Sequence, residues 1–91
     1  MIKATSNKGF QLTFENGWTI SVQFGYGNYC DNRHHPERLA LHNRQVVESG
    51  DAEIAIWDKN GVDYTFDNGD IVKGWCSADE VADWIDKVSR W

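Results

Sequence analysis

The sequence predicts an α+β fold, an antiparallel sheet of about five strands packed by one C-terminal helix, on three observations. Asn-Gly pairs punctuate alternating apolar residues three times, as Thr13-Phe14-Glu15-Asn16-Gly17, Lys59-Asn60-Gly61 and Thr65-Phe66-Asp67-Asn68-Gly69. Such pairs mark hairpins because Gly, and next Asn, accept positive φ at little steric cost. A capped amphipathic run lies near the end of the chain, and 91 residues make one domain, 1–91, with a radius of gyration of about 12 Å.

A short strand is expected over Ile2–Thr5, broken by Ser6-Asn7-Lys8-Gly9. The first hairpin then occupies about 10–24. Phe10, Leu12 and Phe14 alternate before the turn, and Trp18, Ile20, Val22 and Phe24 after it, so all seven should face one core. A two-residue loop would set Glu15 opposite Trp18 and throw the two rows onto opposite faces. A three-residue loop, Glu15-Asn16-Gly17, pairs Phe14 with Trp18, Leu12 with Ile20 and Phe10 with Val22. That predicts a type I turn with Gly17 left-handed and a G1 bulge. The same logic over 52–75 gives a three-stranded meander pairing Ile56 with Tyr64, Ile54 with Phe66 and Tyr64 with Val72.

In that register Trp75 and Ile71 fall on the face away from Tyr64 and Val72. Either a bulge near Gly74 rotates Trp75 inward, the favoured reading, or the patch is a homodimer interface. Ser77-Ala78-Asp79-Glu80 is a capping box, and its acidic residues suit the positive end of a helix. Val81, Trp84, Ile85 and Val88 follow at helical spacing and form one apolar stripe that should lie on the sheet. Trp91 either extends that stripe or anchors the terminus.

Between hairpin and meander, 25–51 lacks a clear period and reads as a long irregular or mobile segment. The weaker alternative is a short helix with Pro36 at its first position, His35 as a poor cap and Leu39, Asn43 and Val46 on one side. Loops this long inside a compact domain are uncommon and often functional.

Five Trp, three Tyr and four Phe supply large apolar areas to a small core. Fourteen acidic against nine basic side chains argue against direct nucleic acid binding. An acidic surface usually confers solubility; as an interaction face it would use Asp67, Asp70, Asp79, Glu80, Asp83 and Asp86. Two cysteines, Cys30 and Cys76, make no disulfide framework. No run is apolar enough for a signal peptide or a membrane span, so a cytoplasmic chain with free thiols is expected.

The candidate binding site is Gly25-Tyr26-Gly27-Asn28-Tyr29-Cys30-Asp31-Asn32-Arg33. Two glycines one residue apart permit tight turns that present Tyr26, Asn28, Tyr29, Asp31 and Arg33 together at a strand end, where aromatic contact and polar orientation can hold a partner or ligand. A plain strand exit with tyrosines folded over the core edge is the structural alternative. This is no dinucleotide fingerprint, since the third glycine and the following helix are absent. A metal site at Cys30, His34 and His35, with Asp31 or His42, lacks the paired spacing that zinc sites use. Nucleophilic catalysis by Cys30 would need a histidine base that sequence cannot place. With no catalytic or phosphate-binding motif, a non-enzyme without cofactor or metal is expected.

Lys8-Gly9-Phe10, the run from Phe14-Glu15-Asn16-Gly17-Trp18 through Thr19-Ile20-Ser21-Val22-Gln23-Phe24-Gly25, then Gly27-Asn28-Tyr29-Cys30 and Ala52-Glu53-Ile54-Ala55-Ile56-Trp57-Asp58, resemble small uncharacterised proteins encoded by bacteriophages. They cover about half the chain. The resemblance transfers no activity residue by residue. It implies an accessory protein that acts in the host cytoplasm by stoichiometric binding to a host protein, such as a nuclease or defence complex, as anti-CRISPR inhibitors do. The chain is expected to be a monomer or a homodimer; a small-ligand, nucleotide-like binding protein is the runner-up function, and a metal-dependent enzyme comes last.

Overall fold

The first Asn-Gly pair closes its hairpin as parity requires. In this computed structural model, which describes residues 1–6, 8–44 and 46–91, β2 (Gly9–Thr13) pairs with β3 (Thr19–Gln23), with Phe10 opposite Val22 and Leu12 opposite Ile20. Phe14 donates its N–H to the Trp18 carbonyl at 2.9 Å, Gly17 donates to Phe14 at 3.0 Å, and Gly17 sits at φ 89°. The other two pairs repeat this pattern. Asp58 donates to Val62 and Gly61 to Asp58; Phe66 donates to Asp70 and Gly69 to Phe66; Gly61 and Gly69 have φ of 78° and 81°.

Five antiparallel strands form one sheet in the order β1-β2-β3-β4-β5, where β1 is Ile2–Thr5, β4 is Asp51–Trp57 and β5 is Val72–Ser77. The sheet and its helix match expectation, with one difference in how five strands are reached. The middle segment of the meander contributes only the isolated bridge between Trp57 and Asp63. Tyr64 still donates to the Ile56 carbonyl at 2.8 Å, as its turn dictates. Beyond that β5 takes the edge of β4, with Val72 opposite Ala55 and Lys73 opposite Ile54, so neither the Ile54–Phe66 nor the Tyr64–Val72 pair forms. Phe66 instead turns its ring against Trp84 at 5.1 Å, and Tyr64 lies against both Trp84 and Trp91. Aromatic packing under the helix has displaced a strand of merely local preference. The break assigned to Ser6-Asn7-Lys8-Gly9 ends earlier than expected, since Gly9 already pairs with Gln23; Asn7 lies outside the described residues.

Helix α2 (Ala78–Ser89) starts on the expected capping box: Ser77 Oγ accepts from Glu80 N at 3.2 Å, and Glu80 Oε1 accepts from Ser77 N. Its stripe covers β3, β4 and β5. Ile20, Val22, Ala52, Ile54, Ile56, Phe66, Cys76 and Val88 make the core, with Val81, Trp84 and Ile85 packed against it. Trp91 meets Trp18 edge-on at 4.8 Å and so anchors the terminus.

On the second face of the sheet β2 and β3 present polar side chains, and among the described residues the helix that packs on the sheet is α2, on the other face. Thr5 Oγ1 donates to Gln23 Oε1, Gln23 Nε2 donates to Ser21 Oγ, and the Thr13 and Thr19 hydroxyls share a hydrogen bond. This one-sided layering gives extents of 38 × 28 × 23 Å and a radius of gyration of 13.2 Å, larger than a sphere of this length would have.

Candidate functional site

Residues 25–51 connect β3 to β4, and most of them are irregular. A short helix, α1 (Arg38–His42), does form, but it begins two residues after Pro36 with Glu37 at its cap; His35 Nδ1 accepts from Glu37 N. Asn32, 8 % exposed, ties the two ends of the segment together, donating through Nδ2 to the carbonyls of Phe24 and Glu48, both at 2.8 Å.

Two carboxylates on β4 hold the first part of the loop. Glu53 Oε2 accepts from Tyr29 N at 2.8 Å, and Asp51 Oδ1 accepts from Asp31 N at 2.7 Å. From β5, Trp75 N donates to the Tyr29 carbonyl at 2.8 Å. The approach is close enough that a Cβ on Gly74 would stand 2.6 Å from the Tyr29 Cβ, so only glycine fits there. Gly74 and Trp75 together face the single residue Glu53, which makes the bulge expected near Gly74.

That bulge does not turn Trp75 inward. It restores Cys76 to the core opposite Ala52, and leaves Trp75 outside at φ 51° and 55 % exposed. A bulky residue rarely adopts the left-handed region. Trp75 lies against the Tyr29 ring at 5.6 Å, and the Arg33 guanidinium sits 4.2 Å over the other partner of that contact, the same Tyr29. Arg33 also donates to the Gly27 carbonyl at 2.9 Å and has no ion-pair partner among the described residues.

Of the residues singled out in sequence, Tyr29 and Arg33 therefore come together, joined by Trp75. Tyr26 is exposed nearby in sequence but stacks with Arg38 at 5.1 Å. Asn28 is turned to the backbone, its Oδ1 accepting from Gly25 N. Asp31 is exposed, with Gly50 pressed against its carboxylate. Trp75 and Gly74 were not in the predicted loop; strand register had marked Trp75 on the second face and a bulge near Gly74, but nothing in the sequence joined them to Tyr29 and Arg33. Beside Trp75, Arg33, His34 and Pro36 lies an open depression of about 470 Å³.

Cys30 and Cys76 are buried free thiols. Burial pushes the Cys30 thiol above its ordinary 9.0, against the hydrogen bonds from Asn32 and Ser49 and with added push from Asp51 and Asp31. Burial, then Glu80, does the same at Cys76. Both stay protonated at neutral pH, the weakly nucleophilic form. Among the described residues no three His, Cys, Asp or Glu side chains group as metal ligands; the His42 side chain lies outside them. Among the described residues no helix is long and apolar enough to cross a membrane. Comparison of the chain with protein-family models, curated proteins and solved structures gave no match.

Proposed function

We propose that this chain is a non-enzymatic binding protein that occludes another protein stoichiometrically through the Tyr29–Arg33–Trp75 surface. The observation that carries this reading is Trp75: a large aromatic held in a left-handed conformation, and kept largely in solvent by a glycine bulge and a loop docked onto it. Strained backbone of this kind persists where its surroundings over-determine it, and it clusters at binding sites. Trp, Tyr and Arg are also the residue types that dominate protein interfaces energetically. The Arg33 guanidinium, stacked on Tyr29 and without an ion pair among the described residues, offers a partner carboxylate both charge and shape. The resemblance to bacteriophage accessory proteins makes a host nuclease or defence complex the partner class.

The test is capture of a host protein by the purified chain, with Trp75→Ala and Arg33→Ala compared with Asp79→Asn on the helix. Either site variant should weaken binding about thirtyfold or more, with an unchanged urea midpoint, and the helix variant should not. Retained binding by both site variants overturns the reading. The open depression beside Trp75 suggests a second reading, in which a small flat ligand stacks on the exposed ring. Native mass spectrometry separates the two: a co-purifying small molecule displaced by Trp75→Ala supports the ligand.

A further inference from the structure

Three turns with one hydrogen-bond pattern carry the same Asn-Gly pair, yet their asparagine side chains stand in three different states. Asn16 is held by three hydrogen bonds: Nδ2 donates to the carbonyls of Val88 at 2.9 Å and Trp91 at 3.1 Å, and Oδ1 accepts from Trp18 N at 3.0 Å. Asn68 is held by two: Oδ1 accepts from Asp70 N at 2.8 Å, and Nδ2 donates to the Val72 carbonyl at 3.5 Å. The Asn60 side chain is exposed and makes no hydrogen bond among the described residues; only its backbone N–H is engaged, by Asp58 Oδ1 at 2.9 Å.

We propose that Asn60 is the site of spontaneous deamidation in this chain, and that Asn16 and Asn68 are protected by their own side-chain hydrogen bonds. In the reaction the nitrogen of the following glycine attacks the asparagine Cγ. A new C–N bond closes a five-membered imide, the Cγ–Nδ2 bond breaks, and the side-chain nitrogen leaves as ammonia with the proton lost by the attacking amide. Water then opens the imide at either carbonyl, leaving aspartate or isoaspartate. Glycine favours attack because no Cβ shields its nitrogen.

The backbone restraint is common to the three sites, since each glycine N–H is bound to the carbonyl three residues before it. Surroundings differ. A Cβ at Gly61 would meet nothing within 4 Å, whereas Gly17 is packed under the Lys59 side chain at 3.1 Å. The hydrogen bonds differ most, because the side chain must swing toward the glycine nitrogen before attack. Each one that must break slows the step by about two- to tenfold.

Protection is greatest where conversion would do most harm. A carboxylate at position 16 would put an acceptor and a negative charge against two carbonyls at the negative end of α2. At position 60 the new charge faces solvent.

The experiment ages the full chain at mildly alkaline pH, folded and in concentrated urea, and follows all three sites by peptide mapping with mass detection. In the folded chain Asn60 should convert about tenfold or more faster than Asn16, with Asn68 between. In urea the three rates should converge, and Asn60→Gln should remove the first acidic isoform seen on ion exchange. Equal rates in the folded chain, earlier conversion at Asn16 or Asn68, no conversion at Asn60 while the unfolded chain converts, or the same unequal order in urea would each overturn the proposal.

Discussion

A non-glycine residue in the left-handed region gives up about 1–2 kcal/mol of backbone energy, and Trp75 does so at φ 51° while exposing more than half its surface. Its offsetting gain is a tilted contact with Tyr29, worth about 0.5–1.5 kcal/mol. Replacing it with glycine relieves the strain, loses the contact and adds about 0.5–1 kcal/mol of unfolded-state entropy. Trp75→Gly should therefore unfold within about 1 kcal/mol of the parent chain in urea while losing partner binding. A loss of about 3 kcal/mol or more would mark Trp75 as a core residue instead. Two of the three members of this site were legible in the chain. Tyr29 and Arg33 follow from a Gly-x-Gly turn, but their third member arrives from β5 through the Gly74 approach, a long-range contact with no local pattern. Asn28 illustrates the reverse error: a polar residue read as presented outward is used inside the turn, on Gly25 N.

Helix α2 has one end written locally and one end written far away. Ser77 and Glu80 are three residues apart and announce the start, and both bonds of the box form. The other end is closed by Asn16, whose side-chain amide reaches the Val88 carbonyl across 72 positions of sequence. Asn16→Ala should cost about 1–2 kcal/mol in urea unfolding, because it removes a donor from the Val88 and Trp91 carbonyls and the acceptor of the Trp18 amide together. Asn16→Asp should cost more, since the carboxylate meets the negative end of the dipole. The Trp91 ring, packed on Trp18 and Tyr64, should then become more accessible to a fluorescence quencher. Unchanged stability in both variants would show that the helix end does not need this cap. The strands divide in the same way. The first two Asn-Gly turns dictated their own first pairs correctly, and the third closes Phe66 on Asp70 without the expected Tyr64–Val72 pair, because a turn cannot decide whether a ladder continues. Tyr64 and Phe66 left the sheet for the rings of Trp84 and Trp91, a choice set by a helix encoded later in the chain.

Charge is distributed over the molecule as unevenly as packing. Residues 58–86 carry eight acidic side chains against two basic ones, whereas 33–44 carry Arg33, Arg38 and Arg44 against Glu37 alone. The Tyr29–Arg33–Trp75 surface takes Arg33 from the basic stretch and Trp75 from the acidic one, with Asp31, Asp51 and Glu53 close by. Long-range charge of this kind orients an approaching partner and raises the rate of encounter, while desolvated aromatic contacts set how long the complex lasts. Raising salt from about 0.05 to 0.5 M shortens the Debye length to a few Å, so the association rate with the partner should fall. The dissociation rate should change by no more than about twofold over that range, because the contact rests on rings and one stacked guanidinium. Trp75→Ala should do the opposite, speeding dissociation with little effect on association. Surface-bound kinetics across a salt series would separate the two contributions. A dissociation rate that climbs steeply with salt would move the contact to Asp79, Glu80, Asp83 and Asp86, the acidic surface that the sequence offered as its other interaction face.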